Sequence, residues 1–406
     1  MRSYNLLSLL VLCVSSVLAL TPTITRRAPD AECTVTASGG DDAPHFLSAA
    51  QNCDVVVIPS GTTLDIQTRL NMTGLSNTNI TLQGTIRFNP DIDYWTGNGF
   101  FIPFQTQITF WLLGGENIVM NGGGTLDGAG QAWYDAFASN SSLLRPIILT
   151  VFQAENVLIE NISMLNSPEW HNLVSMKRKM WCIPTSLSMP KSTSDNFIAN
   201  TDGWNTYRSD NVVIKDSNIV NGDDCVAFKP NSTNILVSNL NCDGSHGISV
   251  GSLGQFPGMF DIVRNVTAVN IRMSNAQNGA RIKAWAGQNV GSGIVQNITF
   301  KNFIMNKVDN PVVIDQCYMT AADACAEFPS NTFIQDIFFT NISGTASGSK
   351  VASLACSPDG RCSDINVDGL DGLKAGSGKT TFTCQNVVLE GESAKLFPTC
   401  TDTSND

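Results

Sequence analysis

Asn211-Val212-Val213-Ile214 and, 23 residues later, Asn234-Ile235-Leu236-Val237 set the pattern of this chain: a turn residue, then a run rich in β-branched residues. The unit appears earlier as Asn79-Ile80-Thr81-Leu82, Asn117-Ile118-Val119-Met120 and Asn156-Val157-Leu158-Ile159. It continues as Asn265-Val266-Thr267-Ala268, Asn297-Ile298-Thr299-Phe300, Asp336-Ile337-Phe338-Phe339 and Asn386-Val387-Val388-Leu389. Asn265 to Asn297 is 32 positions, a length that suits one solenoid coil. Strands this short cannot stand alone. Stacked coils pair them at about 4.8 Å and bury a shared apolar interior. Helical periodicity is nearly absent outside Gln131–Phe137. The repeat therefore predicts an all-β, single-stranded parallel β-helix, one domain over residues 28–406. A β-sandwich also has many short strands, but it does not repeat one coil motif along most of a chain.

Bulk composition agrees. Of 406 residues, 42% are hydrophobic and 15% charged, which suits a large buried core rather than disorder. Net charge is −11, so nucleic acid and anionic membranes are disfavoured as partners. A polyanionic substrate would need a local cationic clamp. No cofactor is implied, no metal site is suggested by Cys or His spacing, and a monomer is expected.

The first residues read as an export signal: Arg2, then an apolar run from Leu6 to Leu20 too short for a comfortable membrane span. We expect a signal peptide over 1–20 and a short propeptide over 21–27 ending at Arg26-Arg27. Sequons at Asn71, Asn79, Asn140, Asn161, Asn231, Asn265, Asn297 and Asn341 fit a secreted, extracellular glycoprotein. Cysteines fall in close pairs, and we expect the disulfides Cys33–Cys53, Cys225–Cys242, Cys317–Cys325, Cys356–Cys362 and Cys384–Cys400. Cys13 leaves with the signal, and Cys182 has no neighbour.

One coil lacks its motif. Between Asn156 and Asn211 stands Met176-Lys177-Arg178-Lys179-Met180-Trp181-Cys182-Ile183-Pro184, a basic run with prolines that does not read as a strand. Read one base earlier, its codons permit Glu-Ala-Lys-Asn-Val-Val-Tyr-Thr-Asp, the missing motif. We therefore expect residues 175–190 to be frame-shifted; a transcript encoding Cys182 as written would end the idea.

Four polar clusters follow one another at about one coil's spacing: Asn200-Thr201-Asp202-Gly203, Gly222-Asp223-Asp224-Cys225, Gly244-Ser245-His246-Gly247 and Arg281-Ile282-Lys283. Glycoside hydrolysis needs a proton for the leaving oxygen and a base for water. Crowded carboxylates cannot all stay ionised, so at least one pKa must rise. Arg281 and Lys283 alternate with Ile282, which puts both cations on one strand face.

In this order, the clusters resemble the signature of the polygalacturonases, pectin-cleaving glycosidases, and the resemblance runs from Cys33 to Cys400. It implies a right-handed β-helix, an inverting hydrolysis and a polygalacturonate substrate. It implies Asp223 as general acid, Asp202 and Asp224 as the carboxylates that orient and deprotonate water, and His246 as tuning the acid. Arg281, Lys283, Tyr318 and Asn200 are placed on the substrate. His45 and His171 read as ordinary structural histidines. The aromatic stretch Asp93–Trp111, with Gly130–Asp135 and Asn278–Trp285, looks most like fungal exopolygalacturonases (galacturan 1,4-alpha-galacturonidases), with aromatic faces for sugar rings and loops that wall off one groove end. Open alternatives are an endo-polygalacturonase, a rhamnogalacturonan hydrolase, a pectate lyase and a non-catalytic β-helix adhesin.

Overall fold

The computed structural model describes residues 31–175, 178–188, 193, 196 and 198–403. The expected signal peptide and propeptide lie outside them. The chain winds as a single-stranded right-handed parallel β-helix. Among the described residues every strand pairing is parallel but one, the antiparallel contact of Phe100–Ile102 with Gln107–Asn121.

Each central coil is one short strand and one long bent strand. The short strands Asn172–Ser175, Trp204–Thr206, Val226–Phe228, Ile248–Leu253, Asn278–Trp285 and Asn310–Tyr318 stack in that order. The repeated Asn has a physical reason. Asn117, Asn156, Asn211, Asn234, Asn265, Asn297, Asp336 and Asn386 have φ between 52° and 58°, left-handed backbone that Asn and Asp tolerate. Asn79 is the exception, since Asn77 takes that conformation instead (φ 55°). Side-chain amides then bond coil to coil: Asn265 Nδ2 donates to Asn234 Oδ1 (3.0 Å) and Asn297 Nδ2 to Asn265 Oδ1 (2.9 Å).

Inside, the register stacks like on like. Ile235, Val266, Ile298, Ile337 and Ile365 form one column, all buried. Phe300 and Phe339 stack face to face at 5.3 Å. All five expected disulfides are present. Trp95, Phe110 and Trp111 are fully buried in the N-terminal core. That corrects the expectation of sugar-stacking faces for these three: their rings pack inside the coil, Phe110 on Phe88 and Trp95, and Trp111 on Phe46.

The segment with no motif is also corrected in part. Arg178–Ser188 is a strand, with Met180 in register between Val157 and Val212, and Cys182 between Ile159 and Ile214. Paired backbones on both sides template a strand whatever the side chains. Pro184 falls where Asn161 turns and the ladder is interrupted, so it removes no bond.

Candidate active site

Three turns, each leading into a short strand, stack to make the site. Asn221 Nδ2 ties two of them together, donating to the carbonyls of Thr201 (2.9 Å), Asp223 (3.0 Å) and Asp224 (2.9 Å). The His246 amide donates to Asp223 O (2.8 Å), linking the third. Gly247 has φ 116°, and a Cβ there would stand 2.7 Å from the Gly279 carbonyl, so the turn that presents His246 requires glycine.

Asp202, Asp223 and Asp224 bring carboxylate oxygens within 4.8 Å of one another. Cations divide them. Lys229 Nζ lies 3.4 Å from Asp202 Oδ2, and Lys283 Nζ lies 2.6 Å from Asp224 Oδ2. Ser249 Oγ donates to Asp224 Oδ1 at 2.6 Å. His246 Nδ1 stands 3.2 Å from Asp223 Oδ1. These carboxylates could ligate a cation, but the ammonium groups of Lys229 and Lys283 already supply positive charge there.

The environments separate the acids. Burial pushes Asp202 up to about 8; Lys229 opposes this, and the two neighbouring carboxylates add to it. Burial acts the same way on Asp223, but the hydrogen bond and charge of His246, with Lys283 and Lys229, hold its carboxyl well below the usual range. Burial would lower His246, yet the bond and charge from Asp223 outweigh it and raise the imidazole. The pair thus favours a proton on His246 beside an ionised Asp223, while Asp202 holds a proton of its own below about pH 8. The crowding raises one acid as expected, but that acid is Asp202 rather than Asp223.

The other expected residues lie around this centre. The cations of Arg281 and Lys283 each sit 5.2 Å from the Tyr318 ring centroid, and Tyr318 packs edge-on against Trp285 at 5.7 Å. Lys283 is buried and committed to Asp224, which leaves Arg281, half-buried, as the cation facing outward. Asn200 is exposed at the rim and accepts from Arg145 Nη2 (2.9 Å). His171 is fully buried against the Asp202 carbonyl (Nδ1 to O 3.1 Å), with burial pulling it down to about 4; this neutral ring backs the Asp202 turn.

Sequence reasoning missed Lys229, Ser249, Arg145 and Glu169. Lys229 was within reach: a lysine closing the apolar run Val226-Ala227-Phe228 beside two acids is out of place in a core strand. Arg145, whose Nη1 donates to Pro168 O (2.8 Å) and Ala199 O (2.7 Å), gave no local signal.

The Glycosyl hydrolases family 28 profile matches residues 49–395. The chain belongs to that family. The family 28 chain is 46% identical over 373 residues to an exopolygalacturonase of Cochliobolus carbonum, covering 87% of this chain and 83% of that one. It is 42% identical over 403 residues to exopolygalacturonase X of Aspergillus niger, covering 95% and 91%. Among solved structures it resembles an endo-xylogalacturonan hydrolase from Aspergillus tubingensis, with TM-score 0.82, 34% identity, and 92% and 99% coverage.

The His246–Asp223 pair gives a pH prediction for this family 28 hydrolase. On the proposal that His246 returns a proton to Asp223, activity should fall as pH rises through the raised imidazole pKa. Replacing His246 with Gln should lower kcat by about 10²-fold and move the alkaline limb of the kcat profile to lower pH. An unmoved limb in the variant would assign that titration elsewhere.

Proposed function

We propose that this chain is a secreted, N-glycosylated, monomeric exo-polygalacturonase that removes the terminal α-1,4-linked galacturonate with inversion. The observation that carries the exo reading is a bar across the catalytic rungs. From Gln107–Asn121 to Ile248–Leu253 is five strand-to-strand steps, about 24 Å along the axis. Yet Gln105 Nε2, at the foot of the first strand, donates to Gln255 Oε1 beyond the last, at 3.0 Å. Phe104 stacks on Tyr207 at 4.1 Å and meets Phe256 edge-on at 6.4 Å. The loops around 100–106 and 254–259 thus reach toward each other over the rungs that carry Asp202, Asp223 and His246. A polymer cannot thread past such a bar, so a chain end must enter. Names of the fungal relatives support the same reading, while the xylogalacturonan hydrolase is endo-acting on the same scaffold.

In the proposed reaction the proton moves from His246 to Asp223 and on to the leaving oxygen as the C1–O bond breaks. Water adds to C1, losing its proton to Asp224, which Lys283 and Ser249 hold, while Asp202 orients it. Arg281, above Tyr318, takes a uronate carboxylate. Six sequon asparagines (Asn71, Asn140, Asn161, Asn265, Asn297, Asn341) are exposed, whereas Asn79 and Asn231 are half-buried; the Nδ2 groups of Asn265, Asn297 and Asn341 already donate along the coil-to-coil ladder.

Products on polygalacturonate test this. Wild type should release only galacturonic acid from the first time point, as the β-anomer by proton NMR. Replacing residues 101–106 with a short glycine linker should add a ladder of oligomers. Oligomers from wild type would reject exo action, unsaturated products would mark a lyase, and the α-anomer would reject inversion. The close carboxylate spacing alone would suit retention, so the anomer is decisive.

A further inference from the structure

We propose that Glu169 reads the free end of the polymer, its carboxyl bonding the C4 hydroxyl of the terminal galacturonate, a group present only where the chain stops. This rests on the exo reading above. Glu169 takes no part in the hydrolysis as derived, yet it is a carboxyl only 8% exposed. Glutamate is rarely buried this far without a partner. Among the described residues it has no ion pair within 4.0 Å; the nearby Arg145 turns three of its four Nη donors to Pro168 O, Ala199 O and Asn200 Oδ1.

Its position links the bar to the reacting centre. On one side is the Gln107 amide, a hydrogen-bonding neighbour of Glu169. Gln107 Nε2 also donates to the Gln105 carbonyl (3.2 Å), and Gln105 holds Gln255. On the other side, the adjacent Trp170 ring lies 4.9 Å from Lys229 Nζ, which in turn is 3.4 Å from Asp202. The charges of Asp223 and Lys229 both act on Glu169. On the exo reading, a galacturonate with C1 at Asp223 turns the C4 edge of its ring to the bar. Glu169 has neighbours on both sides, Gln107 beside the bar and the charges of Asp223 and Lys229 at the centre. Burial pushes its carboxyl up to about 7, so it can accept from a hydroxyl or donate to one.

A probe exists that lacks the C4 hydroxyl; its ring is also flattened at C4 and C5, so the change of preference between wild type and the Glu169 variants carries the test. Trigalacturonate made by a lyase carries a 4,5-unsaturated non-reducing ring with no C4 hydroxyl. The test compares kcat/KM of the secreted enzyme, Glu169→Gln and Glu169→Ala on saturated and unsaturated trimers. Wild type should prefer the saturated trimer by about 10- to 100-fold, the range of one hydrogen bond to a charged group. In Glu169→Ala the preference should shrink to about 3-fold, mainly through a higher KM for the saturated trimer. Glu169→Gln keeps the volume and should fall between, which guards against a folding loss in the alanine variant. A preference that survives in both variants while the two trimers slow together would overturn the proposal and leave Glu169 a packing residue. So would a wild type that does not discriminate. The exo reading fails on a different result, oligomers released from polygalacturonate by wild type, so the two failures are separable.

Discussion

Asp223→Asn should lose about 10³- to 10⁴-fold in kcat on polygalacturonate while KM stays within about 3-fold. The substitution is isosteric. The Asp224 amide now donates to Asp223 Oδ1 at 2.8 Å, and an asparagine carbonyl can accept the same bond. Asparagine cannot carry a proton to a leaving oxygen, and opposite His246 it offers no charge to hold the imidazolium. The variant should therefore fold, bind substrate and fail at bond cleavage, with His246 titrating at lower pH. A drop in melting temperature comparable to the loss of activity would mean that residue 223 is structural. An adhesin would tolerate the change with no functional loss.

Lys283→Met should cost about 3–5 kcal/mol of stability and nearly all activity. Asp224 is 1% exposed, and its charge is balanced by the Lys283 ammonium at 2.6 Å. Without the lysine, the buried carboxylate keeps the Ser249 hydroxyl but loses its cation. Adding Asp224→Asn should recover part of the stability, because no charge is left unpaired, but none of the activity. Equal melting temperatures for wild type and Lys283→Met would show that the pair does not hold the site.

Much of this was legible from one-letter patterns because a solenoid is nearly one-dimensional. Each coil contacts only its neighbours, so a motif spacing of one coil translates directly into stacked side chains. That is why Asp202, Asp223, Asp224, His246 and Lys283 could be grouped before any coordinates. The same logic failed where contacts are not coil to coil. Gln105 and Gln255 are 150 residues apart, and no periodicity links them. Alternation puts Lys283 on one face with Arg281 but does not tell which partner it finds there. Composition does not distinguish the inside of a coil, where Trp95 and Trp111 lie, from its groove. Residues 178–188 show the reverse case: the fold accepts a strand whose sequence lacks the motif, and we propose that the coding sequence is out of frame across it.

The most direct test of the catalytic centre is the structure of Asp223→Asn with trigalacturonate bound. The scissile oxygen should lie within hydrogen-bond distance of the residue 223 side chain, with a uronate carboxylate on Arg281 and the terminal ring against the Gln105–Gln255 bar. A trimer bound away from the three carboxylates, or running unhindered past the bar, would contradict the account.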